Sequence, residues 1–153
     1  MGILLSDVFD SRAIILNLQS KTKEEVFAEL SNAIADVHPE CAREDMIHAL
    51  WEREDKLSTG IASGVAIPHA MCRGLGKTVG AIGVAQAGIE YYALDQKPVD
   101  VIFMLILREP ADENHLRILN QIFKLAQSEA LALVRKAESV QEICAVLSRF
   151  YTQ

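Results

Sequence analysis

The apolar run from Val99 to Leu107, VDVIFMLIL, is the feature that most restricts how this chain can fold. Asp100 is its only polar residue, so the run predicts a β-strand that is covered on both faces rather than on one. The run is also much shorter than the roughly 18 apolar residues that a membrane-spanning helix requires. A central strand of this kind needs helices on both sides of its sheet, which indicates an α/β layered fold.

Segments with helical periodicity supply those layers. Thr22 with Glu25, and Ser139 with Glu142, have the spacing of a capping box, in which side-chain oxygens bind free backbone amides at the start of a helix. The dipeptide His38-Pro39 ends the first of these helices, because proline disfavours a helical residue before it. The periodicity predicts helices over 22–38, 42–55, 111–128 and from 139 onward, and strands over 13–18, 78–85 and 99–107, with a short edge strand over 89–92.

The alternation of strands and helices predicts one domain over residues 1–153, an α/β layer sandwich. Its sheet is expected to be mixed, mainly parallel with antiparallel pairing, and flanked by helices. The chain contains no repeat, no low-complexity tract and no linker. Its net charge of −6 argues against a nucleic-acid partner, because a phosphate backbone requires a basic face.

The three cysteines, Cys41, Cys72 and Cys144, are widely spaced and form no CxxC pair. An odd set of this kind is typical of a reducing compartment, where each cysteine is expected to be a small buried hydrophobic side chain. The first ten residues lack the basic segment and the cleavage site of a secretory signal. The chain is therefore predicted to be cytoplasmic, with no segment inserted in a membrane.

One loop combines small residues with a histidine. The stretch from Ser58 to Ala70, STGIASGVAIPHA, has two glycines and three hydroxyl side chains before an apolar run that stops at Pro68. Proline lacks a backbone N–H, so it ends the strand and directs His69 toward the edge of the sheet, where open α/β sheets bind ligands. Glycine lets backbone amides approach a ligand, and Ser58 and Thr59 add hydroxyl donors. These residue types suit an anion bound beside His69; the alternative is a hydrogen-bonded structural histidine.

Two other residues are candidates for the same site. The stretch PADENH places His115 near the start of a helix, after the central strand, and helix N-termini favour negative charge. Arg53 lies at the end of the second predicted helix, five residues before Ser58. Each also has an ordinary explanation, His115 as a surface residue of the first turn and Arg53 as a cation that complements the helix dipole.

Other chemistries fit the sequence less well. The stretch Gly74 to Thr78, GLGKT, ends like a P-loop, but Met71 occupies the position of its first glycine, and Val79 occupies the third glycine of the dinucleotide fingerprint. The spacing of His69 and Cys72 suits a metal, but zinc requires four ligands and no nearby pair supplies the rest, so no metal site is predicted. Cys72 as a nucleophile with His69 as its base is a further alternative, without an evident orienting partner.

Together, these motifs resemble the enzyme IIA domain of the fructose/mannitol and nitrogen-regulatory class of the bacterial phosphoenolpyruvate-dependent phosphotransferase system. That family has an Arg-Glu pair, then Ser-Thr-Gly-Ile-Gly, and a short run that ends in Ala-Ile-Pro-His. The resemblance extends from Leu5 to the final helix, with Ala62 and Ala70 at positions where the family commonly has glycine. The matching segments of this chain are Arg53-Glu54, Ser58 to Ala62, Gly64 to His69, Ala93-Leu94-Asp95 with Pro98-Val99, and His115-Leu116 with Ile118-Leu119.

The resemblance implies a phosphotransferase that carries phosphate on histidine. His69 would accept a phosphoryl group from a histidine phosphocarrier protein, and no cofactor would be needed because the donor protein brings the phosphate. The family assigns His115 as the partner imidazole and Arg53 as a guanidinium contact to the phosphoryl oxygens. Ser58, Thr59 and Gly60 are expected to complete the phosphoryl-binding loop.

Two roles are compatible with this resemblance. The chain carries no IIB, IIC or phosphocarrier domain, which favours a nitrogen-regulatory-type IIA that acts by binding other proteins according to its phosphorylation state. The alternative is a sugar-specific IIA, of fructose or mannitol type, that passes phosphate to a cysteine of a IIB domain during sugar uptake.

Overall fold

The computed structural model describes residues 2–151, so Met1, Thr152 and Gln153 of the predicted domain lie outside the described residues. The elements in chain order are α1 (Leu5–Val8), β1 (Phe9–Ile15), α2 (Lys23–Val37), α3 (Arg43–Glu54), β2 (Val65–Ala66), β3 (His69–Cys72), β4 (Val79–Ile89), β5 (Val99–Arg108), α4 (Asn114–Ala126), α5 (Ala130–Lys136) and α6 (Val140–Leu147).

The apolar run forms β5, and β5 is the central strand of the sheet, as predicted. It pairs antiparallel with β4, and parallel with both β2 and β3 along its other side. Strand β1 adds to β4 in parallel. The sheet is therefore mixed and mainly parallel, which confirms the predicted fold class.

Alternate residues of β5 enter different cores because successive side chains of a strand point to opposite faces. Ile102, Met104 and Ile106 belong to the core that α2 and α3 cover. Val101, Phe103, Leu105 and Leu107 belong to the core that α1, α4, α5 and α6 cover. Residues 99 and 101–107 are all buried, so a polar substitution in this segment has no face on which to reach water.

Both predicted capping boxes are present as helix N-caps. The Thr22 hydroxyl accepts from the Glu25 backbone amide at 3.1 Å, and the Ser139 hydroxyl accepts from the Glu142 amide at 3.2 Å. Helix α2 ends at Val37, directly before the His38-Pro39 dipeptide. Within residues 2–151, no helix is both long enough and apolar enough to cross a bilayer.

The predicted helix over 111–128 is wrong in its extent. Helix α4 ends at Ala126, and a separate helix, α5, starts at Ala130. The Ser128 hydroxyl donates to the Leu125 carbonyl at 2.9 Å and accepts from the Ala130 amide at 3.1 Å. This side chain competes with the helical hydrogen-bond ladder and so divides the helix. The first strand is also displaced, from the predicted 13–18 to Phe9–Ile15.

Two cysteines form a disulfide, contrary to the prediction of unpaired thiols. Cys41 and Cys72 are bonded, with their Cα atoms 6.9 Å apart, and Cys144 is free. Both bonded residues are buried, as predicted, but the sequence separation of 31 concealed that α3 packs beside β3. The bond therefore joins the segment that precedes α3 to the end of the strand that begins at His69.

We expect reduction of this disulfide to lower the free energy of unfolding by about 3 to 4 kcal/mol, because the bond closes a loop of about 30 residues in the unfolded chain. Urea unfolding with and without a thiol reductant measures the difference. A Cys144→Ala variant should keep the full response, while a Cys41→Ala, Cys72→Ala double variant should show none. Equal unfolding midpoints of the wild-type chain under both conditions would contradict the expectation.

Candidate functional site

A cleft of about 400 Å³ lies beside the edge strand β3, and we call it the His69 cleft. Its walls come from the end of α3, from β3, and from the segment that joins β5 to α4. Three residues predicted for the site, Arg53, His69 and His115, line it together. The sequence predicted these three separately, and the structure brings them to one cleft although they are distant in the chain.

Pro68 positions His69, although not at a strand end as predicted. Strand β2 stops at Ala66 and β3 starts at His69, and both pair with β5. The break falls at Pro68 because proline has no N–H to donate, while its carbonyl still accepts from the Leu105 amide at 2.9 Å. His69 is therefore the first residue of a strand that pairs with the central strand. The hydrogen bond to the Pro68 carbonyl fixes the backbone directly before it.

The His69 ring has a defined tautomer. Its Nδ1 lies 2.7 Å from the carbonyl oxygen of Ile67. A carbonyl oxygen can only accept a hydrogen bond, so Nδ1 carries the proton and donates it. No described residue hydrogen-bonds Nε2. The neutral ring therefore presents the lone pair of Nε2, the nucleophilic nitrogen, to the cleft.

Burial lowers the pKa of His69 below the ordinary histidine value of 6.5, and the positive charge of Arg53 also lowers it. The Ile67 carbonyl and the Glu54 carboxylate act in the opposite direction without reversing the shift. The ring is consequently neutral at pH 7, which is the state in which imidazole is a nucleophile.

His115 carries a polar atom without a partner. The residue is 9% exposed, and its buried Nε2 makes no hydrogen bond with any described residue. The nearest carboxylate oxygen is Asp112 Oδ1, at 4.0 Å. An unpaired buried nitrogen is costly, and its presence in a residue that lines the cleft makes His115 a candidate ligand-binding residue.

Arg53 contributes a positive charge to the cleft from the last turn of α3, and Lys56 lines the same cleft. Arg53 Nη1 donates to the Leu57 carbonyl at 2.7 Å, which fixes the guanidinium relative to the following loop. A guanidinium has five donor hydrogens, and this single bond leaves most of them available. The arrangement suits an anion with several oxygens.

A buried carboxylate holds the end of α3 and the loop together. Glu54 is 6% exposed and accepts from Lys23 Nζ at 2.9 Å, from the Thr59 amide at 2.9 Å and from the Thr59 hydroxyl at 2.6 Å. The Thr59 hydroxyl also lies 2.8 Å from the Tyr91 hydroxyl. Burial and the charge of Glu54 raise the pKa of Tyr91 well above its ordinary value, so the phenol stays protonated.

The loop residues predicted to bind phosphate have other contacts in this structure. Ser58, Thr59 and Gly60 do not line the His69 cleft. Thr59 is occupied by Glu54, and a Cβ on Gly60 would lie 2.7 Å from the Cβ of Ala93, so the glycine is required by packing. The Ser58 hydroxyl accepts from the Gly60 amide at 3.1 Å. Direct binding of phosphate by these three residues stays a prediction.

Sequence analysis assigned no role to Lys23, Glu54 or Tyr91. Glu54 was visible only as the second residue of the Arg-Glu pair, and nothing in its neighbourhood indicated burial. Lys23 and Tyr91 lie 31 residues before and 37 residues after it in the chain, so only the fold reveals the network. Within residues 2–151, no three histidine, cysteine, aspartate or glutamate side chains are grouped so that they could hold a metal ion.

Residues 7–150 match the family described as "Phosphoenolpyruvate-dependent sugar phosphotransferase system, EIIA 2". The chain is 32% identical, over 78% of each chain, to a nitrogen regulatory protein of Pseudomonas aeruginosa. It is 30% identical, over 94% of each chain, to a fructose-specific EIIA component of Haloferax volcanii. It is also 30% identical to the fructose-specific EIIABC component of Bacillus subtilis, over 95% of this chain but only 23% of that longer protein.

Solved structures share the fold. The nitrogen regulatory protein IIA-Ntr of Neisseria meningitidis superposes with a TM-score of 0.85 at 28% identity, over 94% of this chain and 98% of that one. IIA mannitol of Escherichia coli, solved in complex with phosphorylated IIB, has a TM-score of 0.76 at 16% identity, over 92% and 97%. The second likeness shows the fold alone.

We expect Glu54→Gln to lower the free energy of unfolding by about 3 kcal/mol, because it leaves the buried Lys23 ammonium without its counter-charge. Urea denaturation measures the change. Glu44→Gln is the matched control, since Glu44 is on the same helix and its side chain is 80% exposed, and it should change stability by less than about 0.5 kcal/mol. Equal losses in the two variants would show that the charge of Glu54 has no structural role.

We expect the His69 ring to titrate below pH 6.5, because burial and Arg53 disfavour its cation. The unfolded chain binds the proton more tightly than the folded chain. The resulting loss of stability is therefore absent above pH 6.5 and develops as the pH falls from 6.5 through the folded-state pKa. NMR titration of the ring measures the pKa. Arg53→Gln should raise it and Arg149→Gln should not; a ring that titrates above 6.5 would contradict the burial argument.

Proposed function

Since the chain belongs to the EIIA type-2 family of the phosphoenolpyruvate-dependent sugar phosphotransferase system, we propose that Nε2 of His69 carries its phosphoryl group. One observation supports this assignment above the others: the Nδ1 to Ile67 bond of 2.7 Å leaves Nε2 as the free nucleophile. His69 lines the same cleft as Arg53 and His115.

The proposed step is an in-line exchange between two histidines. The Nε2 lone pair attacks phosphorus on the phosphohistidine of the donor, a bond from phosphorus to Nε2 forms, and the donor's phosphorus–nitrogen bond breaks. The departing donor nitrogen keeps that electron pair. His69 retains its Nδ1 proton throughout, and the Ile67 carbonyl stabilises the positive charge that the ring gains. No base is required, because neutral imidazole is nucleophilic without deprotonation.

Arg53 neutralises charge on the phosphoryl oxygens in this proposal, and His115 contacts the same oxygens. Phosphoryl transfer depends on positioning and on electrostatic stabilisation of charge spread over the equatorial oxygens. Arg53 contributes the guanidinium donors that Leu57 does not occupy, and His115 contributes its unpaired Nε2. Glu54 holds the loop of Ser58, Thr59 and Gly60 beside α3. Direct contacts of these three residues with the phosphoryl group are part of the prediction.

The surroundings of the cleft suit a protein donor. Met71, which lines the cleft, is 46% exposed, Leu116, next to His115, is 70% exposed, and Leu57, which Arg53 contacts, is 56% exposed. Large apolar side chains that surround a polar centre are typical of a surface that docks another protein. We infer that a histidine phosphocarrier protein docks here as donor, and that acceptor proteins use the same surface in turn, in the cytoplasm.

We propose that the chain is a nitrogen-regulatory-type IIA, whose phosphorylation state controls its binding to a target protein. The likeness to IIA-Ntr of Neisseria meningitidis, with a TM-score of 0.85 at 28% identity, favours this branch. The second candidate is a sugar-specific IIA that passes phosphate to a IIB cysteine. The 30% identity to a fructose-specific EIIA component over 94% of each chain favours that role.

We expect His69→Ala to abolish phosphorylation by a phosphorylated histidine phosphocarrier protein. Intact-mass spectrometry detects the gain of one phosphoryl group. His48→Ala is the matched control, because the side chain of His48, a residue of α3, is 76% exposed. This variant should be phosphorylated like the wild type. In the wild type, NMR should place phosphorus on Nε2. A phosphorylated His69→Ala variant, or phosphorus on Nδ1, would contradict the assignment.

We expect His115→Ala to remain folded and to slow phosphoryl transfer by about 10²-fold, as loss of one donor to a developing charge commonly does. Rapid-quench measurements of transfer onto and off His69 give the rates. Wild-type rates in the His115→Ala variant would assign His115 a purely structural role.

A purified fructose- or mannitol-type IIB domain, offered as acceptor, separates the two branches: rapid transfer to its cysteine supports the sugar-specific role.

A further inference from the structure

A second cavity, of about 290 Å³, adjoins the His69 cleft. The two are separated by the segment that joins β5 to α4, whose residues alternate between them. Leu107, Glu109 and Ala111 line the His69 cleft, whereas Arg108 and Asp112 line the second cavity. The stretch Gly76 to Thr78, which sequence analysis excluded as a P-loop, forms another part of its wall.

Four charged residues line this cavity, and among them only Arg108 and Asp112 lie within ion-pair distance of each other. Asp7 and Lys77 are exposed side chains of the wall, and neither forms an ion pair or a side-chain hydrogen bond with a described residue. Arg108 adds a guanidinium whose buried Nε has no hydrogen-bond partner there. Its Nη1 lies 3.9 Å from Asp112 Oδ2, too far for a short charge-assisted bond.

The floor of the cavity is apolar. Val8 is 3% exposed and Ile118 is 1% exposed, and both belong to the core below α4. The cavity thus combines two cations, two carboxylates and a hydrophobic floor in a space of small-metabolite size. A ligand with a single charge would be attracted by one pair of these side chains and repelled by the other, whereas a ligand with both charges can be attracted by both pairs.

We propose that this cavity binds a small zwitterion of the α-amino-acid class with an apolar side chain. The carboxylate of the ligand lies against the Arg108 guanidinium and Lys77. The ammonium lies against Asp7 and Asp112. The side chain covers Val8 and Ile118. This role is additional to phosphoryl transfer and uses neither Arg53 nor His69.

Occupation of the cavity affects the His69 cleft through Asp112, an inference that rests on the proposed function. Oδ1 of Asp112 accepts from the Asn114 amide at 2.9 Å and lies 4.0 Å from His115 Nε2, while Oδ2 lies 3.9 Å from Arg108. A ligand carboxylate that engages Arg108, and a ligand ammonium that engages Asp112, redistribute charge beside His115. Binding is therefore expected to change the rate of phosphoryl transfer.

Isothermal titration calorimetry with glycine, L-alanine and L-leucine at low salt tests the site. L-Leucine should bind saturably, and 3-methylbutylamine and 4-methylpentanoate, which each lack one of its charges, should bind at least about tenfold more weakly. Lys77→Ala and Asp7→Asn should weaken L-leucine by a similar factor. Lys21→Ala is the matched control, an exposed lysine outside the cavity lining, and should leave binding unchanged.

Several outcomes would overturn the site: no saturable binding of any of the three amino acids, equal binding of a single-charge analogue, or equal loss in the Lys21→Ala control. The rate of His69 phosphorylation with and without L-leucine tests the coupling separately. A chain that binds L-leucine with these preferences but transfers phosphate at an unchanged rate refutes the coupling through Asp112. A chain that is never phosphorylated refutes the proposed function and leaves the binding result intact.

Discussion

The buried carboxylate of Glu54 is the interaction on which the His69 cleft depends. It joins three parts of the chain: Lys23 is in α2, Glu54 ends α3, and Thr59 lies in the glycine-containing loop that starts at Ser58. A charge this deeply buried is tolerated only when it is paired and hydrogen-bonded, so the three parts have one low-energy arrangement. Arg53 is the neighbour of Glu54 in the last turn of α3, and the direction of its guanidinium follows from that arrangement.

The same network also occupies the ammonium group of Lys23. Lys23 is bound to Glu54 and lies 4.5 Å above the Tyr91 ring, so its ammonium is not available to a ligand. The two neighbouring charged residues therefore have different roles. Glu54 holds α2, α3 and the loop together, and Arg53 lines the cleft. Exchanging the two neighbouring residues would bury the guanidinium and place the carboxylate at the cleft, where it would repel the phosphate of the proposed function.

Predictions from the sequence were confirmed where the determining interaction is local, or where the composition of one segment indicates whether it is buried. The Val99 to Leu107 run predicted a doubly covered strand because burial on both faces requires apolar residues at every position, and the capping boxes predicted helix starts because their partners are three residues apart. The predictions failed where a distant partner decides. Three features depend on contacts that only the complete fold creates. They are the Cys41–Cys72 disulfide, the hydrogen bonds from Thr59 to Glu54, and the packing of Gly60 on Ala93. Ser128 is the exception, a local helix breaker that the strong periodicity around it concealed.

A phosphoryl carrier must release its group as readily as it accepts it, so in the proposed function the cleft must bind phosphate only moderately. If several fully buried cations surrounded Nε2, the phosphorylated state would be too stable to serve as a donor, since only interactions stronger in the transition state than in the bound state accelerate transfer. The cleft instead offers the half-exposed Arg53 guanidinium, already bonded to Leu57, together with Lys56 and the His115 ring, whose Nε2 has no partner among the described residues. His69 is fixed by Ile67 and by the break at Pro68, so the protein contributes position at little cost in binding strength. In the proposed function, this position without tight binding lets His69 accept phosphate from one protein and donate it to the next.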